Sequence, residues 1–173
     1  MACALLAMAV QAQGKKVLVA YFSCTGNTEK VAKKIAVATK ADIYVIQPQK
    51  AYSAADIDWH NKQSRSTVEM KDHKARPQLA NKNAKIAKYD VVFLGYPIWW
   101  NTCPRIINTF IESYKWEGKT VVPFATSGSS SIDNSVKELK ALYENVNWNA
   151  GKLLNDGGAE AGSWAKEVVD GLK

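Results

Sequence analysis

The chain has few of the residues that bind metals or build disulfide frameworks: three Cys and two His among 173 residues. No Cys-x-x-Cys occurs and no His pair stands at ligand spacing, which leaves zinc and dithiol redox motifs without a basis. His60 and His73 are isolated in a polar stretch and read as solvated loop residues. No later run is long and apolar enough to span a bilayer, so stable membrane insertion is not expected. There is no basic helix and no Arg-rich stripe, so nucleic acid is not expected as a partner. The usual phosphate-loop signatures are missing too. Gly26 is not followed by the Gly-Lys of a Walker loop, and one glycine does not make a dinucleotide fingerprint. The residue six after Cys24 is Lys30, not the Arg of a small phosphatase loop.

What remains is an ordinary soluble composition, 47% hydrophobic and 23% charged, with a formal net charge of +7. The length suits one domain with ample core. Residues 1–14 carry no charge, and Leu5–Val10 forms a short apolar core ahead of Val10-Gln11-Ala12, which reads as a small-residue cleavage site. We therefore divide the chain into residues 1–14, an export-signal remnant or tail, and residues 15–173, the domain. If residues 1–12 are a signal, the mature chain starts near Gln13 and is periplasmic or otherwise extracytoplasmic. If not, it is cytoplasmic.

Along the domain, apolar strand candidates alternate with amphipathic helix candidates. Strands are expected over 16–22, 42–46, 91–95, 119–125 and 148–154, and helices over 28–40, 81–88, 104–114, 132–144 and 159–172. The first, third and fourth strands are nearly continuous apolar runs, as in a sheet covered on both faces. Such β-α repetition implies a parallel sheet between two helical layers. Residues 47–88 break the pattern, with nine Lys and Arg against four Asp and Glu. We expect an extended excursion with a short helix there, anchored on the core by Tyr52 and Trp59.

Three loops fall on the carboxyl edge of that sheet. The first is Ser23-Cys24-Thr25-Gly26-Asn27-Thr28, between a strand and a helix. Its hydroxyls, its Gly and the helix N-terminus offer a phosphate site built from neutral donors. The same residue types also make an ordinary capped turn. The second loop, Gly95–Pro104, carries Pro97, Ile98, Trp99, Trp100 and Asn101. Adjacent tryptophans point in different directions and are hard to bury together, so an aromatic ligand platform stands beside a capped core corner as a reading. The third, Thr126-Ser127-Gly128-Ser129, is small and rich in amide donors. Together they describe a crevice for a planar heterocycle that bears a phosphate.

On these residues the chain resembles the flavodoxin family, specifically its short group with a Gly-Tyr-Pro-Ile-Trp-Trp loop. Thr25-Gly26-Asn27-Thr28 is similar to the family's phosphate motif, Tyr96–Trp100 to its middle loop and Phe124–Gly128 to its third, over about residues 15–172. The resemblance implies an α/β three-layer sandwich with a five-stranded parallel sheet in the order 2-1-3-4-5 and FMN as cofactor. It implies FMN-binding roles for Ser23, Cys24, Thr25, Gly26, Asn27, Thr28, Pro97, Ile98, Trp99, Trp100, Asn101, Thr126, Ser127, Gly128 and Ser129. Asn101 stands where the group usually has Gly, and Ser129 where a second Gly is common. Asn tolerates a left-handed backbone, so the turn at 101 is expected to survive.

The implied function is electron transfer through a bound flavin, to a redox partner protein or a small-molecule acceptor. The alternative is an NAD(P)H-dependent FMN oxidoreductase acting on quinones or similar acceptors. The flavin does the chemistry in both, so no catalytic side chains are assigned and enzyme status stays open. Cys24 and Cys103 are not expected to pair, and Cys24, at a helix N-terminus, is expected to have a lowered thiol pKa.

Overall fold

The computed structural model describes residues 14–172. The expectation of an export signal over residues 1–12 falls outside them. Six strands form the sheet: β1 (Val17–Tyr21), β2 (Asp42–Val45), β3 (Val91–Pro97), β4 (Thr120–Thr126), β5 (Asn147–Trp148) and β6 (Lys152–Leu153). All pair in parallel, in the order β2-β1-β3-β4-β5, with β6 also on β4. The expected fold and strand order are therefore present. The helices are α1 (Asn27–Thr39), α2 (Arg65–Lys71), α3 (Arg105–Glu112), α4 (Asp133–Leu142) and α5 (Ala161–Gly171).

Burial on both faces explains the continuous apolar strands. Alternate side chains go to opposite faces of a pleated strand. Val17, Val19 and Tyr21 of β1 join Phe93, Val122 and Phe124 beneath Val31 and Ile35 of α1 and Ala161 and Ala165 of α5. Leu18, Ala20 and Phe22 join Val92, Leu94 and Tyr96 beneath Ile106, Ile107 and Phe110 of α3 and Val136 and Leu139 of α4. Both layers are apolar and buried, and the sheet between them is covered at its centre.

Two expected elements differ. The fifth strand is split into β5 and β6. Between them, a Cβ on Gly151 would stand 2.7 Å from Val136 Cγ2, so the backbone there is drawn against α4 and leaves the ladder. The helix expected over 81–88 shrinks to one 3-10 turn, Ile86–Lys88, entered through a left-handed Lys85. Only Ala84 and Ile86 of that stretch are buried, too few for the apolar stripe that holds a full helix.

The excursion is an ordered lobe with α2 and a 3-10 turn, Ala55–Ile57. Its base is closed by antiparallel bonds, Gln49 N–H to Gln78 O at 2.7 Å and Ala80 N–H to Gln47 O at 2.8 Å. Two arginines fasten it to α3. Arg105, buried, donates from Nη2 to Met70 O at 3.0 Å, and Arg76 pairs with Glu112 at 2.9 Å. Tyr52 packs edge-on against Phe22, as expected. Trp59 does not anchor the lobe; it is 69% exposed.

Gly95 sits opposite Phe124 in the β3–β4 register, and a Cβ on it would lie 2.2 Å from Phe124 Cζ. The ring fills the space a side chain would take. Gly95→Ala should destabilise the protein by about 1–3 kcal/mol through overpacking. Urea unfolding checks this, and a midpoint equal to wild type would contradict the packing.

Candidate functional site

Parallel strands place every loop that follows a strand at one edge of the sheet. Two clefts open there. The first, about 570 Å³, is lined among others by Thr25, Asn27, Pro97, Ile98, Thr126, Ser127 and Gly128. The second, about 450 Å³, is lined by Ile57, Trp59, Ser66, Ile98, Trp99, Trp100, Ser127, Gly128 and Ser129. They share Ile98, Ser127 and Gly128, so one groove runs over that ridge, polar at one end and aromatic at the other.

The polar end is built by the first loop. Gly26, at φ 83°, takes the left-handed conformation that starts α1, and its N–H donates to Ser23 Oγ at 3.1 Å. The hydroxyls of Thr28 and Thr126 bond each other at 2.9 Å and are buried, tying the first loop to the end of β4. Ser23, Cys24, Gly26 and Thr28 therefore shape the loop, whereas Thr25 and Asn27 face the cleft. The first turns of α1 add Lys30 and Val31 to the wall. The cleft thus carries one cation beside its neutral donors, which corrects the expectation of neutral donors alone. Asp156 also lines this cleft.

The middle loop is a two-residue hairpin. Trp99 N–H donates to Thr102 O at 2.9 Å and Thr102 N–H to Trp99 O at 3.0 Å. Trp100 and Asn101, at φ 46° and 61°, are its two central residues. Positive φ at both positions is the mark of a type I′ turn. Asn101 suits it; an indole does not, and left-handed bulky residues carry strain. Helix α4 holds the turn: Asn134 Nδ2 donates to Asn101 O at 3.0 Å, and Thr102 Oγ1 to Glu138 Oε2 at 2.6 Å. Asn101 itself lines neither cleft; its role is the turn.

The two indoles separate as their adjacency requires. Trp99 packs edge-on against Phe22 and Tyr52, with centroids 5.6 Å and 5.4 Å away. Trp100 is 44% exposed. Behind Trp99, Tyr52 donates its hydroxyl to Glu69, Arg65 pairs with Glu69 at 2.7 Å, and the Arg65 guanidinium lies 3.9 Å from the Tyr52 ring centre. Burial, then the Glu69 carboxylate, raises the Tyr52 phenol well above its usual range. Tyr52 therefore stays a neutral donor that fixes the floor under Trp99.

The third loop folds on Ser127, whose Oγ accepts from Ser130 N–H at 2.9 Å, while its own N–H donates to Asn155 Oδ1 at 3.0 Å. Asn155 belongs to a fourth wall missed in the sequence: Leu154, Asn155, Asp156 and Gly157, after β6. Asp156, Gly157 and Gly158 are all left-handed. The Asp-Gly-Gly run at a strand end was the available signal. Ile57, Trp59 and Ser66, brought in by the excursion, had no comparable signal.

Cys24 overturns one expectation. Its thiol is pushed up to about 11, chiefly by burial and against the nearby Arg65 cation, so it is not an activated thiolate. Cys103 is buried, its thiol raised to about 12, and both thiols are free. Among the described residues no cluster of three or more His, Cys, Asp or Glu could hold a metal.

The family model for flavodoxin matches residues 16–168. A protein named as a flavoprotein from Bacteroides uniformis is 56% identical, with TM-score 0.85 over 89% of this chain and 99% of that one. A second, from Bacteroides eggerthii, is 53% identical, with TM-score 0.86 over 91% and 99%. A flavoprotein from Lactobacillus acidophilus, solved in complex with FMN, is 22% identical, with TM-score 0.68 over 81% and 93%, and shares the fold. No curated protein matches. With the sheet order and the edge loops in place, the match over most of its length makes this chain a member of the flavodoxin family.

Proposed function

We propose that the protein binds FMN in the groove and passes electrons through it. The observation that carries this reading is the continuity of the two clefts across Ile98, Ser127 and Gly128, with phosphate donors at one end and indoles at the other. The donor set fits the group. The N-terminus of the 13-residue α1, the backbone amides of Thr25, Asn27 and Thr28, and the side chains of Thr25, Asn27 and Lys30 would hold a phosphate. Trp99, Trp100 and Trp59 offer flat apolar surface for the ring, and the Gly128 N–H, left over from the internal bonds of the 127–130 loop, offers a donor to its polar rim. The FMN complex of the Lactobacillus relative supports the choice of flavin.

A bound flavin supplies the one- and two-electron chemistry. The chain's own contribution is binding, orientation and exclusion of water. Tyr52, kept neutral, and Phe22 fix Trp99. The Thr28–Thr126 bond fixes the distance between the first and third loops. Exposed Trp100 and Trp59 leave the outer rim open to a partner protein or a small acceptor, which favours a carrier.

The first test is cofactor choice. The apoprotein should bind FMN far more tightly than riboflavin, because losing the phosphate leaves several donors unpaired. Thr25→Ala should weaken FMN by about 1–3 kcal/mol on the same ground. Isothermal titration decides it; equal affinities would refute the phosphate assignment. A visible spectrum during reductive titration, with and without NADH or NADPH, separates the roles. Slow nicotinamide oxidation is expected of a carrier, and rapid turnover would establish the oxidoreductase.

Ring stacking adds roughly 0.5–1.5 kcal/mol beyond area burial. FMN should quench tryptophan emission, and Trp100→Ala should weaken both quenching and affinity. If Trp59→Ala, Trp99→Ala and Trp100→Ala all leave both unchanged, the ring does not lie on the indoles.

The raised Cys24 thiol sets a pH dependence. Alkylation of Cys24 by iodoacetamide proceeds through the thiolate, so its rate should keep climbing to about pH 11. A plateau near pH 8.5, the ordinary thiol value, would contradict the burial. Bound FMN should slow the reaction, read by mass spectrometry.

A further inference from the structure

The opposite edge of the sheet holds a second cleft of different character. It encloses about 550 Å³ and is lined by Lys15, Lys16, Val17, Lys40, Asp42, Lys85, Lys88 and Tyr89. The lysines come from three places: the lead into β1, the end of α1, and the turn before β3. All five are exposed. Among the described residues none of them forms an ion pair; the pairs involve Lys33, Arg65, Arg76 and Lys152 instead.

Two carboxylates lie at the cleft, and Asp42 is the one that lines it, against the five lysines. Asp42 Oδ2 accepts from the Tyr89 hydroxyl at 2.9 Å, and Asp90 Oδ2 from the backbone N–H of Lys16 at 2.7 Å. Five lysines against one lining carboxylate leave the cleft net positive, so like charges repel and an anion is drawn in.

The backbone adds a second observation. Lys40 and Lys85 are left-handed, at φ 53° and 49°. Glycine holds that conformation without the steric cost, and an L side chain there is retained against strain. Compensation of the negative end of the α1 dipole accounts for Lys40 alone. It does not account for Lys85, Lys88, Lys15 and Lys16 around the same space.

We propose that this cleft is a binding site for a ligand that presents two or more clustered phosphate groups. The lysine ammonium groups would bind it as point charges, and the Tyr89 ring would form part of the floor. The site is on the amino edge, away from the groove assigned to FMN; the lysine variants separate it from that groove, since they touch no residue lining it. Two sources carry this chemistry, a soluble polyphosphate and the headgroups of an anionic lipid surface.

The test uses the full chain, with and without added FMN, and sodium tripolyphosphate as probe, by isothermal titration at low and at physiological salt. Wild type should bind tripolyphosphate, with affinity falling as salt screens the charges. Lys40→Gly with Lys85→Gly should weaken it by about tenfold or more, through loss of two close charges. Because glycine suits both backbone positions, this pair should unfold no more readily than wild type, which keeps misfolding out of the result. Lys137→Gln with Lys166→Gln removes the same net charge from helix surfaces and should change the affinity less than about twofold.

No tripolyphosphate binding by wild type, or an equal loss in both double variants, would overturn the site. Co-sedimentation with phosphatidylcholine vesicles containing about 30% phosphatidylglycerol then names the source. Lysine-dependent vesicle binding assigns the lipid headgroup, and tripolyphosphate binding without vesicle binding assigns the soluble ligand.

Discussion

The structure depends on burying the centre of the sheet on both faces. β1, β3 and β4 carry buried, mainly apolar side chains toward both faces, so each face needs its own helical cover. Parallel pairing meets that need, because each crossover can return as a helix over one face or the other. α1 and α5 cover one side, and α3 and α4 the other. A sheet wound in this way has all of its strand ends pointing one way. The loops that follow β1, β3, β4 and β6 are thereby gathered at a single edge, and a groove between them follows from the architecture.

Precision at that edge comes from a few polar contacts. The Thr28–Thr126 hydroxyl pair spans from the first loop to the third, and its burial makes it costly to break. Asn155 holds Ser127, and α4 holds the Trp100–Asn101 turn through Asn134 and Glu138. These contacts use up groups that would otherwise be taken as ligand donors. Thr28, Ser23 and Asn101 act by placing Thr25, Asn27 and Trp100.

The excursion over residues 47–88 builds part of the groove. It carries most of the net positive charge, and it is fastened to α3 by Arg105 and Arg76. Through Tyr52, Arg65 and Glu69 it sets the floor beneath Trp99, and through Ile57, Trp59 and Ser66 it supplies one wall of the aromatic cleft. A segment that reads as a polar interruption thus supplies three of the nine residues lining the candidate ring site.

The sequence by itself determined the layers, the strand order through a family resemblance, and three of the walls of the groove. Those features are local: runs of apolar residues, a Gly beside hydroxyls, two indoles between prolines. Tertiary structure decided the rest. It split the fifth strand where Gly151 meets Val136, and it reduced the 81–88 helix to one turn for want of buried residues. It sent one indole onto Phe22 and left the other exposed. It also raised the Cys24 thiol, since burial outweighs the helix N-terminus that the spacing announced. Trp59, Asn155 and the five lysines at the amino edge come from distant parts of the chain. No local pattern records their meeting, because it is fixed by how the helices and the excursion pack against one sheet.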